Sequence, residues 1–396
     1  MSRARTAVTM GAAVTAGAAG VLTAGAVGLA AYFTRQVVTP NHVKPDDVWV
    51  IDVDLDASPP TITLQATPET KAPGRYGLWF DGRAGHARLG EVLHADGEVV
   101  VRRVEAVDQG VLRSGPARWN GYYYSGPPAD SLGLAHHDVQ ITTDLGPMRA
   151  WYLPGAGASA TWALLVHGRG ATREECLRAV RPMLDVGLSV LVCSYRNDAE
   201  SPADPSGRYH LGDSEWQDVE AAMEWAVDRG ATDMVLFGWS MGGAIVLQAA
   251  TRSRLADRVR AVVLDGPVVD WHAVLDHQSG VNHLPWQLTR MGHTMLRHPL
   301  GRRVIGLREP LDLRRLDWVT RAAELHLPVL VIHSDDDEFV PNGPSLSLGR
   351  ARPDLVTVEP WQLGRHTKEW NTDPERWERV VADFVRSQVS AQVSAP

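Results

Sequence analysis

The sequence predicts an α/β protein whose mostly parallel central sheet is covered by helices on both faces. Two observations predict it. Thr161–Val166, Leu188–Ser194, Met234–Phe237, Arg260–Leu264 and Val329–Ile332 are short, mainly apolar runs of strand length, as expected for strands buried on both faces. Helix-like segments, Glu174–Val186, Asp213–Asp228 and Ala244–Ala250, lie between them, and this alternation favours a parallel sheet.

The chain has 396 residues, enough for two domains or one large domain with additions. Hydrophobic residues make up 44% and charged residues 22%, so a sizeable core is expected and global disorder is not. A net charge of −8 argues against a nucleic-acid partner, which calls for a basic face. The 14 Trp residues suit core packing, with apolar clefts as the alternative. Cys176 and Cys193 form neither a disulfide framework nor a zinc pattern. Cys193 reads as a buried strand thiol.

Residues 1–35 carry no Asp or Glu, and an uncharged stretch runs from Ala7 to Phe33. It is about 27 residues long, where a spanning helix needs roughly 20. A signal anchor or transmembrane helix is expected, with secretion after signal cleavage as the alternative. Arg3 and Arg5 favour a cytoplasmic N-terminus. The folded part would then be membrane-anchored and extracytoplasmic.

Residues 36–134 predict a small β-rich module. Val48–Leu55, Thr61–Leu64, Arg75–Phe80 and Glu98–Val104 are short runs separated by Pro and Gly. Tyr122, Tyr123 and Tyr124 read as a packed strand or turn, or as a binding face.

Residues 135–396 predict the main domain. Asp138–Thr142 and Met148–Leu153 flank a turn and read as a hairpin. In Asp213–Asp228 the apolar positions Trp216, Val219, Ala222, Met223 and Ala226 share one helical face. Ser214 with Gln217 reads as a capping box, and Gly230 as a helix-ending glycine. Residues 270–325 break the strand–helix rhythm, which suggests an inserted helical lid. The loop from Asn197 to Ser206 lies at the sheet's carboxyl edge.

The chemistry centres on Gly238-Trp239-Ser240-Met241-Gly242, followed by Gly243. This G-x-S-x-G lies directly between a strand and a helix, the context of a nucleophile elbow. A serine hydroxyl needs a base. Val329–Ile332 runs into His333-Ser334-Asp335-Asp336-Asp337-Glu338-Phe339-Val340-Pro341, and His366 follows in a loop before the helix-like Pro374–Gln388. An acid and then a histidine is the chain order such elbows use. Metal binding is not expected. The acidic run lacks the ligand alternation and glycine of a calcium loop, and His136, His137, His272, His277, His283, His293 and His298 lack metal-ligand spacing.

From about His136 onward the chain resembles the alpha/beta-hydrolase superfamily, in the manner of its prolyl-oligopeptidase-like and serine-aminopeptidase-like esterases. The stretches that carry the resemblance are His167-Gly168, the elbow at Ser240, the acidic loop before Val340-Pro341, and Gly364-Arg365-His366. It implies Ser240 as nucleophile, His366 as base and Asp337 as the orienting acid, with Asp335, Asp336 and Asp265 as alternatives. It also implies an oxyanion hole from the backbone amides of Met241 and Arg169, with His167 supporting that loop. The implied activity is cleavage of a carboxylic ester or thioester on a small-molecule acyl substrate, without a cofactor. A peptidase, an acyltransferase and a non-catalytic membrane-tethered binding protein are the alternatives.

Overall fold

The computed structural model describes residues 25–41, 44–156 and 160–390. It opens with a helix, α1 (residues 25–38). Ala30, Thr34 and Val38 are spaced four apart on one side of α1 and all are buried. Ala30 and Val38 join the core of the main domain. The expected membrane helix thus falls partly outside the described residues, and its described part packs on the protein instead. Among the described residues no helix is long and apolar enough to cross a membrane.

The β-rich module is a closed six-stranded antiparallel barrel of β1 (Val48–Asp54), β2 (Thr61–Gln65), β3 (Tyr76–Phe80), β4 (Gly85–Ala95), β5 (Val99–Gln109) and β6 (Gly115–Asn120), in the order β1-β2-β5-β4-β3-β6. Closure leaves no exposed strand edge. Val50, Leu64, Leu78, Ala87, Leu89, Val100 and Ala117 fill it. Arg102 is also wholly buried there. Its five N–H groups reach the carbonyls of Thr70, Ala72, Gly74 and Gly90 at 2.6–2.9 Å. Burial lowers its pKa to about 10.

A short helix, α2 (Pro128–Leu132), leads to the hairpin β7 (His137–Thr143) and β8 (Gly146–Leu153). There follow β9 (Thr161–Val166), α3 (Leu177–Asp185), β10 (Ser189–Cys193), α4 (Trp216–Val227), β11 (Asp233–Trp239), α5 (Met241–Arg252) and β12 (Val259–Asp265). Helices α6 (Trp271–Val281), α7 (Trp286–Arg297) and α8 (Pro299–Ile305) occupy the expected lid region. The chain ends with β13 (Val329–Ser334), α9 (Gly343–Ala351), β14 (Val356–Trp361), α10 (Glu369–Thr372) and α11 (Pro374–Ser390). The eight-stranded sheet has the order β14-β13-β12-β11-β9-β10-β8-β7. Its strands run parallel except at the β7/β8 edge.

Two local expectations need correction. The helix expected over Glu174–Val186 starts with a 3-10 turn at Arg173–Cys176 before α3. The Ser214/Gln217 capping box does not form, because α4 is capped one residue later, at Glu215. Glu215 instead accepts from the His210 and Gly212 N–H groups at 2.6 and 2.9 Å. Cys176 and Cys193 are both free and buried.

Candidate active site

Ser240 sits between β11 and α5 with φ 51° and ψ −118°, a region that non-glycine residues avoid. The flanking glycines make this turn feasible. A Cβ on Gly238 would lie 2.4 Å from the Gly242 backbone, and one on Gly242 would lie 2.2 Å from the Val166 carbonyl. The Ser240 carbonyl accepts from the Gly243 and Val268 N–H groups, both at 3.0 Å. Trp239 anchors the turn below by stacking on Phe237 at 4.0 Å.

The structure brings Ser240, His366 and Asp337 into one chain of hydrogen bonds. Ser240 Oγ lies 2.9 Å from His366 Nε2, and His366 Nδ1 lies 2.8 Å from Asp337 Oδ2. An ionised carboxylate only accepts, so Nδ1 carries the proton and Nε2 is left to accept from the serine. Asp337 Oδ1 accepts from the Phe339 and Val340 N–H groups at 2.8 Å. Burial opposes ionisation of Asp337, but the imidazoles of His366 and His333 outweigh it and hold the carboxyl well below its usual range.

The alternative acids do other work. Asp336 Oδ1 accepts from the Gly364 and Arg365 N–H groups at 3.0 and 2.8 Å and so shapes the histidine loop. Asp335 accepts from Asn342 at 2.7 Å. Asp265 is buried below the site, bonded to Trp377 Nε1 at 2.8 Å. It faces Glu369, and burial pushes both carboxyls up.

His167 braces the loop opposite, as expected. Its ring lies 2.9 Å from both the Gly168 carbonyl and Asp198 Oδ2. Asp198 comes from the Asn197–Ser206 loop. Burial disfavours a charged ring, but Asp198 outweighs it and raises the pKa of His167. The Gly168 N–H donates to Glu175 Oε2 at 2.7 Å, so it is engaged. Arg169 follows it at the cleft wall, and Met241 is the first residue of α5.

Sequence reasoning missed His333 and the loop's outer supports. His333 Nε2 lies 3.0 Å from the Val340 carbonyl and 3.3 Å from Asp337 Oδ2. Its position four residues before Asp337 is the only sequence signal. The barrel also grips the histidine loop. Glu69 pairs with Arg365, and Asn371 Nδ2 donates to the Arg75 and Gly121 carbonyls at 2.6 and 2.8 Å. Tyr122 lines the cleft, and its hydroxyl accepts from the Thr172 N–H at 3.2 Å.

A cleft of about 670 Å³ opens above Ser240 and His366, between the barrel and the main domain. A second cavity of about 320 Å³ lies under α1, α6 and α7, with Arg169 and Phe339 shared between the two. His272 and His293 approach to 3.3 Å in the lid.

Residues 162–291 match the family model described as alpha/beta hydrolase fold. With the sheet order and the elbow, this match gives the main domain the alpha/beta-hydrolase fold. Residues 50–120, the barrel, match a domain of unknown function, DUF8805. An uncharacterized protein of Mycobacterium tuberculosis is 29% identical over 268 residues, covering 66% of this chain and 81% of its own. Among solved structures, an esterase of Pyrococcus furiosus is similar with a TM-score of 0.52 and 19% identity, over 67% of this chain and 94% of its own. A second crystal form of that esterase gives 0.51 and 18%. At these identities the likeness concerns the fold.

Proposed function

We propose that the protein is a serine esterase that cleaves a carboxylic ester or thioester through an acyl-enzyme on Ser240. One observation carries this reading: a serine at positive φ on a strand–helix turn, within 2.9 Å of a histidine that is 2.8 Å from a buried aspartate. In the proposed cycle His366 Nε2 takes the Ser240 proton as Oγ attacks the carbonyl carbon. The carbonyl oxygen becomes an oxyanion, received by the Met241 and Arg169 amides. Collapse breaks the bond to the leaving group, which takes the proton from His366. Water, deprotonated in turn by His366, then releases the acid and restores Ser240. Asp337 holds the imidazole in the required tautomer and stabilises its charged form.

The cavity under α1, α6 and α7 fits an acyl chain. Ala30, Phe33, Leu275, Leu284, Leu288 and Leu296 give it an apolar stretch, beside polar residues such as Thr34, Gln278, Asn282 and His293, and an apolar stretch suits such a ligand.

The test is labelling with a fluorophosphonate probe beside hydrolysis of p-nitrophenyl esters of short and long acids. Labelling and turnover should both vanish in Ser240→Ala, by on the order of 10⁴-fold or more in kcat. Labelling without ester turnover would favour a peptide substrate or an acyl acceptor other than water. A folded protein that neither labels nor turns over would make this a binding protein on a hydrolase scaffold.

A further inference from the structure

The large cleft is lined by more cations than its own carboxylates engage. Lys44, from the linker before the barrel, Arg118 on β6, Arg169 after β9 and Lys368 beside the histidine loop all line it. Among the described residues, none of these four makes an ion pair with a carboxylate. Arg118 is only 8% exposed. Its guanidinium lies 4.6 Å from the centre of the Trp79 ring, and Arg83 lies over the same residue at 4.5 Å. Lys44 is exposed to solvent where it lines the cleft. Desolvation there, and then the charges of Arg118, Arg169 and Lys368, lower its pKa against the opposing pull of Glu175.

Six carboxylates also line the cleft, and five of them have other donors, Asp138 facing His136 at 3.6 Å and Glu174 accepting from the Thr172 hydroxyl. Glu175 is taken by the Gly168 N–H and by Arg178, 3.7 Å away. Glu200 is shared by Arg149 and Arg173 at 3.5 and 3.2 Å. Asp198 holds His167. Glu338 is exposed at the α6 side, where its carbonyl meets His277 and Gln278.

A protein of net charge −8 thus gathers like charges that repel one another in the cleft above Ser240. Such an arrangement is costly unless an anion relieves it. We infer that the substrate carries an anionic group, a carboxylate or phosphate, which the barrel-side cations Lys44 and Arg118 receive while its ester lies at Ser240. This rests on the esterase reading for the ester and on the cleft alone for the anion. The barrel then supplies substrate selection, and Lys368 ties that selection to the loop of His366.

The experiment compares 4-carboxyphenyl butyrate with its neutral isostere 4-carbamoylphenyl butyrate, in wild type, Arg118→Gln and Lys44→Gln. The ratio of kcat/KM for the anionic over the neutral ester should fall about tenfold or more in each variant, the size expected for a lost charge-assisted contact. Taking the ratio cancels any loss of folded protein. A ratio unchanged in both variants overturns the inference. In parallel, binding of 4-hydroxybenzoate and of phenyl phosphate to Ser240→Ala is measured by calorimetry, with and without Arg118→Gln. Both anions need no turnover. Tighter binding of one names the carboxylate or the phosphate, and weakening by Arg118→Gln is expected for that one. If neither ester turns over but an anion binds through Arg118, the esterase reading fails and the anion site stands. If neither anion binds, the inference fails, whatever the esters do.

Discussion

The space around Ser240 has two unlike walls. On the barrel side Arg118 stands over Trp79 with Lys44 also lining the cleft, and the backbone of Arg75 is bonded to Asn371 in α10, just after the loop of His366. On the lid side α1, α6 and α7 enclose the smaller cavity with a mixed lining, Leu275, Leu284, Leu288 and Leu296 beside Thr34, Gln278, Asn282 and His293. On the reading proposed above, one wall would recognise by charge, and it is braced by backbone hydrogen bonds. The other would recognise by shape and is held by packing, which tolerates substitution of similar volume. On that reading the walls would have separate jobs, the barrel wall discriminating substrates by what they carry and the lid wall by how long they are.

The largest effect tests the ground both walls share. Asp337→Asn should lower kcat by on the order of 10⁴-fold with the fold retained, because the amide reverses the preferred tautomer of His366. Circular dichroism beside ester kinetics checks both halves, and a loss of only a few fold would remove Asp337 from the orienting role.

Next comes the barrel interior. Arg102→Ala leaves the Thr70, Ala72, Gly74 and Gly90 carbonyls without their donor. A loss of about 3 kcal/mol or more is expected in denaturant unfolding, since each stranded buried group costs about 1–3 kcal/mol. The change should also raise KM, through residues 74–75. An equally large loss of stability with unaltered kinetics would show that the two walls are not mechanically joined.

On the lid wall, Leu284→Trp should fill part of the small cavity. The preference for an octanoate over a butyrate p-nitrophenyl ester should drop about tenfold, the scale of a few methylenes in an apolar pocket. Equal slowing of both esters would mean that the acyl chain lies elsewhere.

The pH dependence separates the two buried acid groups behind the walls. Asp337 is held below its ordinary value, so its contribution to stability is present above that value and lost as pH falls through the lower folded one. Glu369 is the reverse. Its folded pKa lies well above 4.5, chiefly through burial and then through Asp265. Its contribution is complete below the ordinary value and is lost as pH rises through the raised one. In Glu369→Gln the fall in Tm from about pH 5 toward about pH 9 should therefore be smaller than in wild type. An unchanged slope would mean that Glu369 does not hold its proton in the folded state.

The smallest effect is expected at Arg365→Ala, which removes the part-exposed pair with Glu69. Stability should change by about 0–1 kcal/mol, with kcat lowered only a few fold. A loss like that of Asp337→Asn would make the barrel contact decisive for His366.

Much of the main domain was legible because the inner strands β9 to β13 are mainly apolar and α4 keeps one apolar face. The elbow was legible because Gly238 and Gly242 are required by backbone contacts that any Cβ would violate. Asp337 stood out from Asp335 and Asp336 only by its offset from Val340-Pro341, and the two amides it accepts are those of Phe339 and Val340. Barrel closure was not legible. β4 carries irregular register against β5 at four places, which blurs the alternation that would announce a strand. Nor could one sequence indicate that Arg102, a residue type expected outside, fills the inside of a barrel. The N-terminal stretch is ambiguous for a related reason, and most of it lies outside the described residues. An Ala- and Gly-rich run looks alike whether its small side chains face lipid or let a helix dock closely on another, as α1 does at Gly292, where a Cβ would sit 2.7 Å from Thr34 Oγ1.

Arg102 has a wider consequence. It fastens residues 70–74 from within the barrel, and the next residue, Arg75, donates its N–H to the Asn371 carbonyl and accepts from the Asn371 side-chain amide, five positions beyond His366. A mutational map of activity would therefore trace a ridge of sensitivity out of the cleft and into a domain that holds none of the reacting atoms. Recombining this hydrolase domain with a foreign barrel would break that ridge even where every residue touching the substrate was kept.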